Sequence, residues 1–322
     1  MRAPARAAML RAHVWEPLTR LSERASAAVW RLAEKRILAA PSRGLEGRRP
    51  VFVLFTPRAG SKHFLSLLAS IPGAAFDFEI LGRSIQWRVP ETYFQVGRGL
   101  VERLIALRAR QTQLGPHFLR PSHGHPIFTS KAVCLTYVRN CLEALHSEIC
   151  AVKFQYEQLQ CGGITPVDLH QAFPHARFVI LYRRSLSRQL VSDVMRHVTR
   201  EGGNPARRPS PEPTETVRLS PAKVRSYYAA VRAIYAEWME LPLLAQHGVV
   251  VCYEDLCEDP QSVFERSVFP MLGVAPAAVE NRRFVKQTRR KLSEIVENYD
   301  EVADLLEGPE SIQDYARATQ AT

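Results

Sequence analysis

Five consecutive apolar residues, Val51 to Phe55, run directly into the turn Thr56-Pro57-Arg58-Ala59-Gly60-Ser61. A run of β-branched and aromatic residues without polar alternation has no face to give to water. It therefore suits a parallel strand covered on both sides. After the turn, Phe64, Leu65, Leu67 and Leu68 begin a helix with one apolar face. A turn from strand into helix offers the N–H groups of the helix N-terminus to an anion. Arg58 and Lys62 add positive charge and Ser61 adds a hydroxyl, so a phosphate or sulfate group is the natural guest. The loop is not a Walker A loop, which needs two glycines five apart followed by Lys and Ser or Thr. Only Gly60 is present, and the order is Gly-Ser-Lys, which disfavours ATP or GTP chemistry with Mg²⁺.

A second segment repeats the pattern. Phe178 to Tyr182 is an apolar strand, Arg183 and Arg184 follow at its C-terminal end, and a helix comes next. Ligands of open parallel sheets bind at that end of the strands. Ser192 lies eight residues past Arg184, about two helical turns or roughly 12 Å along the axis. The planar fork of an arginine matches a phosphate bidentately, so Arg184 and Ser192 form a second candidate anion site.

Together the two segments resemble the cofactor motifs of the sulfotransferase family, which uses 3′-phosphoadenosine 5′-phosphosulfate (PAPS). That family's first motif runs roughly Pro-Arg/Lys-Ser-Gly-Ser/Thr-Thr, and here it reads Pro57-Arg58-Ala59-Gly60-Ser61-Lys62. The second motif is a strand, an Arg, seven residues and a Ser, matched by Arg184 and Ser192. The resemblance implies that Arg58, Ala59, Gly60 and Ser61 cradle the 5′-phosphosulfate and that Arg184 and Ser192 hold the 3′-phosphate. The wording of residues 183–192 is especially similar to bacterial members that sulfate carbohydrates or glycolipids. Val152 to Leu159, Val250 to Pro260 and Leu292 to Asp300 resemble later elements of the family in the same order, so the likeness spans about residues 50–310. It implies an α/β, P-loop-NTPase-like three-layer fold with a central parallel sheet flanked by helices. Lys62 and His63 depart from the family pattern, which has a hydroxyl residue and then an aromatic or Leu. Lys62 either replaces the lost hydroxyl contact with charge or points to solvent.

Sulfuryl transfer, like phosphoryl transfer, needs in-line positioning and charge stabilisation more than covalent help. Arg58 is the first candidate to stabilise charge on the departing bridging oxygen. Lys153, at the end of the strand read at 149–154, is the second; the alternative is a strand-end lysine with its head in water. The acceptor hydroxyl calls for a general base. Glu79, directly after a short strand at Ala75 to Phe78, is the first choice, with His123 or His125 next. Glu79 alternatively pairs with Arg83 at (i, i+4). The family's late basic loop suggests Lys286 and Arg289 as further cofactor contacts, although a run of basic residues also reads as a solvated face. No metal-ligand cluster is evident, and the chemistry requires none.

The 322 residues suffice for one large core, and 46% apolar with 23% charged residues is ordinary for a globular protein. The strand readings are 51–55, 149–154, 178–182 and 249–253, with a short one at 75–78, and their alternation with helices indicates α/β architecture. The organisation expected is a basic N-terminal extension over 1–48 and one catalytic domain over 49–322. An acceptor-side insertion at about 83–130 and a flexible loop at about 200–221, which holds five prolines, complete it. Residues 1–50 carry eleven Lys and Arg against four Glu, or +7 of the chain's +11. Val14, Leu18, Leu21, Ala25, Val29 and Leu32 share a helical face there. Residues 10–38 thus read either as a helix packed on the domain or as one lying on anionic lipid, with Trp15 and Trp30 suited to the second. No apolar run reaches transmembrane length and no signal-peptide core is present, so a cytoplasmic chain, peripheral at the membrane in the lipid-bound reading, is expected.

The six cysteines match no zinc spacing and read as reduced thiols. Three functions fit a chain with these features. They are a PAPS-dependent sulfotransferase acting on a carbohydrate or glycolipid, a kinase or NTPase of related architecture, and a basic nucleic-acid or membrane-binding module without catalysis. The non-Walker loop argues against the second. The clustering of charge before residue 50, instead of a stripe across the fold, argues against the third and against a nucleic-acid partner.

Overall fold

Strand β1, Arg49–Phe55, is buried from Pro50 onward and forms the centre of the molecule in a computed structural model. The structure describes residues 31, 34–42, 44–77, 80–81, 128–198, 215–280 and 290–315. Helix α1 (Ser61–Leu68) follows β1, then strand β2 (Ala74–Asp77), helix α2 (Lys131–Glu143), strand β3 (Ile149–Gln155) and strand β4 (Arg177–Tyr182). Helix α3 (Leu186–Val198), helix α4 (Pro221–Met239), strand β5 (Gly248–Cys252) and the short helix α5 (Tyr253–Glu258) continue the chain. The five strands form one sheet of order β2-β3-β1-β4-β5, with every pairing parallel. This is the three-layer α/β arrangement with a central parallel sheet expected from the sequence.

The continuous apolar runs are explained by two cores, one on each sheet face. Val51, Val53 and Phe55 point to one side, where Phe64, Leu65 and Leu68 of α1 pack with Phe264 and Phe269. Phe52 and Leu54 point to the other, against Val138 and Cys141 of α2 and Tyr235 and Trp238 of α4. Both sides of each central strand are covered, so alternation disappears. The strand read at 249–253 ends one residue earlier, because Tyr253 already opens α5.

All strands run the same way, so their C-terminal ends share one edge. Register places Phe55 beside Gln155 and Leu181, and Tyr182 beside Cys252. The first turn, Lys153, the second turn and α5 therefore meet at that edge.

Part of the N-terminal region packs on the domain. The Glu34 carboxylate accepts from the Thr129 N–H at 2.7 Å and from its hydroxyl at 2.6 Å, and Ile37 is buried. The end of the stretch read as a loop at 200–221 is tied down. The Val217 N–H donates to the Ile295 carbonyl at 2.8 Å, and Val217 and Leu219 are buried. Residues 10–30, 82–127 and 201–214, which carry the remainder of the extension, most of the insertion and most of that loop, lie outside the described residues. Of the cysteines, Cys134, Cys141, Cys150 and Cys252 are buried free thiols and Cys257 is an exposed one. No helix among the described residues is long and apolar enough to cross a membrane.

Candidate active site

The first turn closes through two left-handed residues. Arg58 has φ 62 and Gly60 has φ 90. A side chain in this region costs roughly 1–2 kcal/mol, so the tertiary structure must hold Arg58 there. At Gly60 only glycine fits. Beyond the φ value, an added Cβ would lie 2.0 Å from Cδ2 of Tyr253, whose ring closes over the turn from the β5 side. Gly60 is the N-cap of α1 and brings no side chain to occupy its first amides. The helix start therefore presents its N–H groups under the turn.

Lys153 is 1% exposed, in the strand beside β1. Its Nζ donates to Ser61 Oγ at 3.1 Å and lies 4.9 Å from the centre of the Phe55 ring. The reading of a strand-end lysine with its head in water is thereby replaced: the ammonium points beneath the first turn. Burying a charge this deeply requires partners, and the hydroxyl and the aromatic face supply part of that requirement.

Arg58 reaches the second motif. Its Nε donates to Ser192 Oγ at 2.9 Å, joining the turn after β1 to the middle of α3. Arg184 sits at the end of β4, with Nη2 bonded to Asp255 Oδ1 at 2.7 Å. Glu254 caps the start of α3, accepting from the Arg184 N–H at 2.8 Å and the Ser185 N–H at 3.3 Å. Arg183 lies over the Tyr253 ring at 5.1 Å and 3.6 Å from Glu254. A cavity of about 390 Å³ opens here, lined by Arg183, Ser185, Arg188, Tyr253, Glu254 and Cys257.

Titration sharpens the charge pattern. Burial lowers the His63 imidazole, against a smaller upward pull from the Leu256 carbonyl. At neutral pH it is an uncharged ring, set edge-on to Tyr253 at 6.1 Å, where the family pattern has an apolar residue. Burial alone would lower the Arg184 guanidinium, but the hydrogen bond to Asp255 pulls it upward, and the group stays protonated. Burial raises the Tyr253 phenol, which remains neutral.

The structure thus brings Arg58 and Ser192 into contact, Lys153 against Ser61, and Arg184 onto the neighbouring strand end. Ala59 is buried under the turn and Lys62 is half-buried on the first turn of α1. Glu79, His123, His125, Lys286 and Arg289 lie outside the described residues. Reading the sequence missed the two carboxylates of α5, the Tyr253 ring over Gly60, and Gln189 and Tyr235, which enclose the turn from below. The sequence marks Val250 to Pro260 only as a whole; its acidic residues directly after an apolar strand are the available signal. Among the described residues, no group of three or more His, Cys, Asp or Glu side chains could hold a metal ion.

Comparison with known proteins agrees with this geometry. Residues 50–275, more than two thirds of the chain, match the model of the sulfotransferase family. No curated protein sequence matches the chain. Among solved structures, sulfotransferase STF1 from Mycobacterium tuberculosis H37Rv is 16% identical, with a TM-score of 0.40 over 78% of this chain and 73% of that one. A sulfotransferase from Alicyclobacillus acidocaldarius is 14% identical, with a TM-score of 0.40 over 85% and 99%. Mouse sulfotransferase SULT7A1, solved in complex with PAP, is 12% identical, with a TM-score of 0.36 over 88% and 82%. These likenesses are too distant to carry a residue-level argument; the family match is what decides, and the chain belongs to the sulfotransferase family.

Proposed function

We propose that this enzyme transfers a sulfuryl group from PAPS to a hydroxyl of a carbohydrate or glycolipid. The observation that carries the reading is the bond between Arg58 and Ser192, which ties the first basic turn to the helix that follows the second. The donor set suits a nucleotide with two anionic ends. Arg58, Ser61, Lys153 and the amides following Ala59 and Gly60 form one cationic, hydroxyl-lined pocket without a carboxylate among the contacts described above. Arg184 at the end of β4, together with Ser192 of α3, would form the other, where a 3′-phosphate would take the place of Asp255. Bound PAPS supplies an activated sulfuryl group on a phosphate leaving group.

The residues then divide the work. Arg58 and Lys153 hold positive charge where the departing oxygen gains negative charge. The rigid first turn, with Lys62 at its helix end, fixes the orientation. Glu79 takes the acceptor proton, or His123 or His125 does so, and Lys286 and Arg289 close over the nucleotide. Support for the acceptor class comes from the carbohydrate-type wording of residues 183–192. The basic amphipathic stretch 10–38 would bring the enzyme to a lipid-borne acceptor from the cytoplasmic side. In this reading residues 49–322 are one catalytic domain and 1–48 an extension.

Titration with adenosine 3′,5′-bisphosphate tests the donor. At 100 times its Kd it should stabilise the fold by about 2.7 kcal/mol if it binds only the native state. A melting shift with ATP and Mg²⁺ alone would favour a kinase instead, and a shift with neither would favour a binding module. An acceptor screen with radiolabelled donor, with and without residues 1–45, tests the acceptor class and the role of the extension. For the base, Glu79→Gln should cut turnover at least about a hundredfold while sparing bisphosphate affinity. Near-normal turnover would hand the role to a histidine.

A further inference from the structure

Beneath the first turn lies a hydrogen-bond chain whose every proton can be assigned. Tyr235, on α4, donates its single phenolic proton to the Leu181 carbonyl at 2.8 Å. It must therefore accept from Thr56, whose hydroxyl is 2.9 Å away and whose N–H is 3.3 Å away. The Thr56 hydroxyl proton is thus spent on Tyr235, leaving its lone pairs to accept from Gln189 Nε2 at 2.7 Å. The second proton on Gln189 Nε2 goes to the Pro57 carbonyl at 2.6 Å. Because a carbonyl can only accept, the amide orientation of Gln189 is determined. Gln189, Thr56, Tyr235 and Leu181 are each completely buried, so water cannot substitute for any member.

The Pro57 carbonyl is not an arbitrary target. The Pro57–Arg58 peptide is planar, and its tilt is set by ψ of Pro57 and φ of Arg58. Arg58 is the residue held at φ 62, a conformation its own side chain disfavours. Fastening the carbonyl on one edge of that plane turns the Arg58 N–H to the opposite edge. A rotated peptide would present the carbonyl there instead, and its negative end repels an anion. Gln189 also precedes Ser192 by three residues on α3, so one helical face grips Arg58 twice, by its preceding carbonyl and by its side chain.

We propose that Gln189 is a positioning residue that locks the Pro57–Arg58 peptide in its anion-binding orientation, so that the first turn is shaped before any nucleotide arrives. The inference rests on the donor-binding reading given above. Glutamine suits the task because one atom must donate twice, to a hydroxyl and to a carbonyl. Leucine and methionine donate nothing, and a carboxylate would face two acceptors.

The test compares Gln189→Met and Gln189→Glu with the wild type by calorimetric titration, using three probes: adenosine 3′,5′-bisphosphate, adenosine 5′-phosphosulfate and adenosine 3′-monophosphate. Both variants should lose at least about tenfold in affinity for the two probes with a 5′ group and less than about threefold for the 3′-monophosphate. Relative to wild type at each pH, Gln189→Glu should recover affinity for the 5′ probes as pH falls, since a protonated carboxyl can again donate to the Pro57 carbonyl, whereas Gln189→Met should show no such recovery. A purely structural role would weaken all three probes alike and show no pH rescue. That pattern, or affinities within twofold of wild type, overturns the proposal. If one variant does not fold, the other carries the same probe comparison. Failure of the wild type to bind any probe overturns the donor reading and this inference together, whereas wild-type binding with unaffected variants overturns only this one.

Discussion

The two strand-end turns carry the same sign of charge but handle it in opposite ways. The turn after β1 is supported by neutral groups. Gln189, Thr56 and Tyr235 hold its backbone from below, Ser192 meets its arginine through a hydroxyl, and Ser61 meets Lys153 of β3. The turn after β4 is already neutralised, with Glu254 on the amides of Arg184 and Ser185 and Asp255 on the Arg184 guanidinium. A turn whose backbone is held rigidly from below is preorganised for an anion. A turn whose arginine holds a carboxylate must exchange partners to bind one. The first therefore has the properties of a reacting centre, and the second those of an exchangeable clamp.

Experiments can break this contrast at several levels. Arg58→Ala should have the largest effect, at least about a hundredfold in turnover, because it removes the cation that ties the first turn to Ser192 of α3. A smaller loss, measured by steady-state rates, would move the burden to Lys153. Gly60→Ala attacks the place where the regions touch. The new Cβ meets the Tyr253 ring and the left-handed backbone together, so a destabilisation on the order of 2–4 kcal/mol is expected in denaturant titration. Asp255→Asn should act in the favourable direction. The Arg184–Asp255 pair is partly exposed and worth about 0–1 kcal/mol, so removing the charge should tighten bisphosphate binding about twofold to fivefold. Weaker binding would show that Asp255 orients Arg184 instead of competing for it. The smallest effect concerns His63. Its folded-state pKa is lowered from 6.5, so its contribution to stability is present above that value and lost as pH falls below it. His63→Phe should flatten the decline in melting temperature between about pH 7.5 and about pH 5.5, and an unchanged slope would assign that decline elsewhere.

How much of this was legible beforehand follows from the range over which each signal acts. Val51 to Phe55 and Phe178 to Tyr182 declared themselves because strands covered on both faces need an apolar residue at every position. Arg58, Gly60, Ser61, Arg184 and Ser192 were readable because a turn between a strand and a helix confines its chemistry to a few consecutive residues. Gln189 was not, since a glutamine on a helix ordinarily faces water and nothing nearby in the chain marks this one as enclosed. Tyr235 is buried on α4, but its hydroxyl partners lie in the turn after β1 and on β4, far away in the chain.

Local pattern was enough to establish a parallel α/β sheet and two cationic turns at strand ends, because periodicity and turn chemistry depend on near neighbours along the chain. Which carboxylates meet the second turn and which peptide of the first is held in place were settled by the order β2-β3-β1-β4-β5. That order sets β4 between β1 and β5, bringing α5's carboxylates to one turn and Gln189 to the other across separations of about 70 and 130 residues. Contacts between such distant segments arise from packing and leave no periodic trace in the sequence.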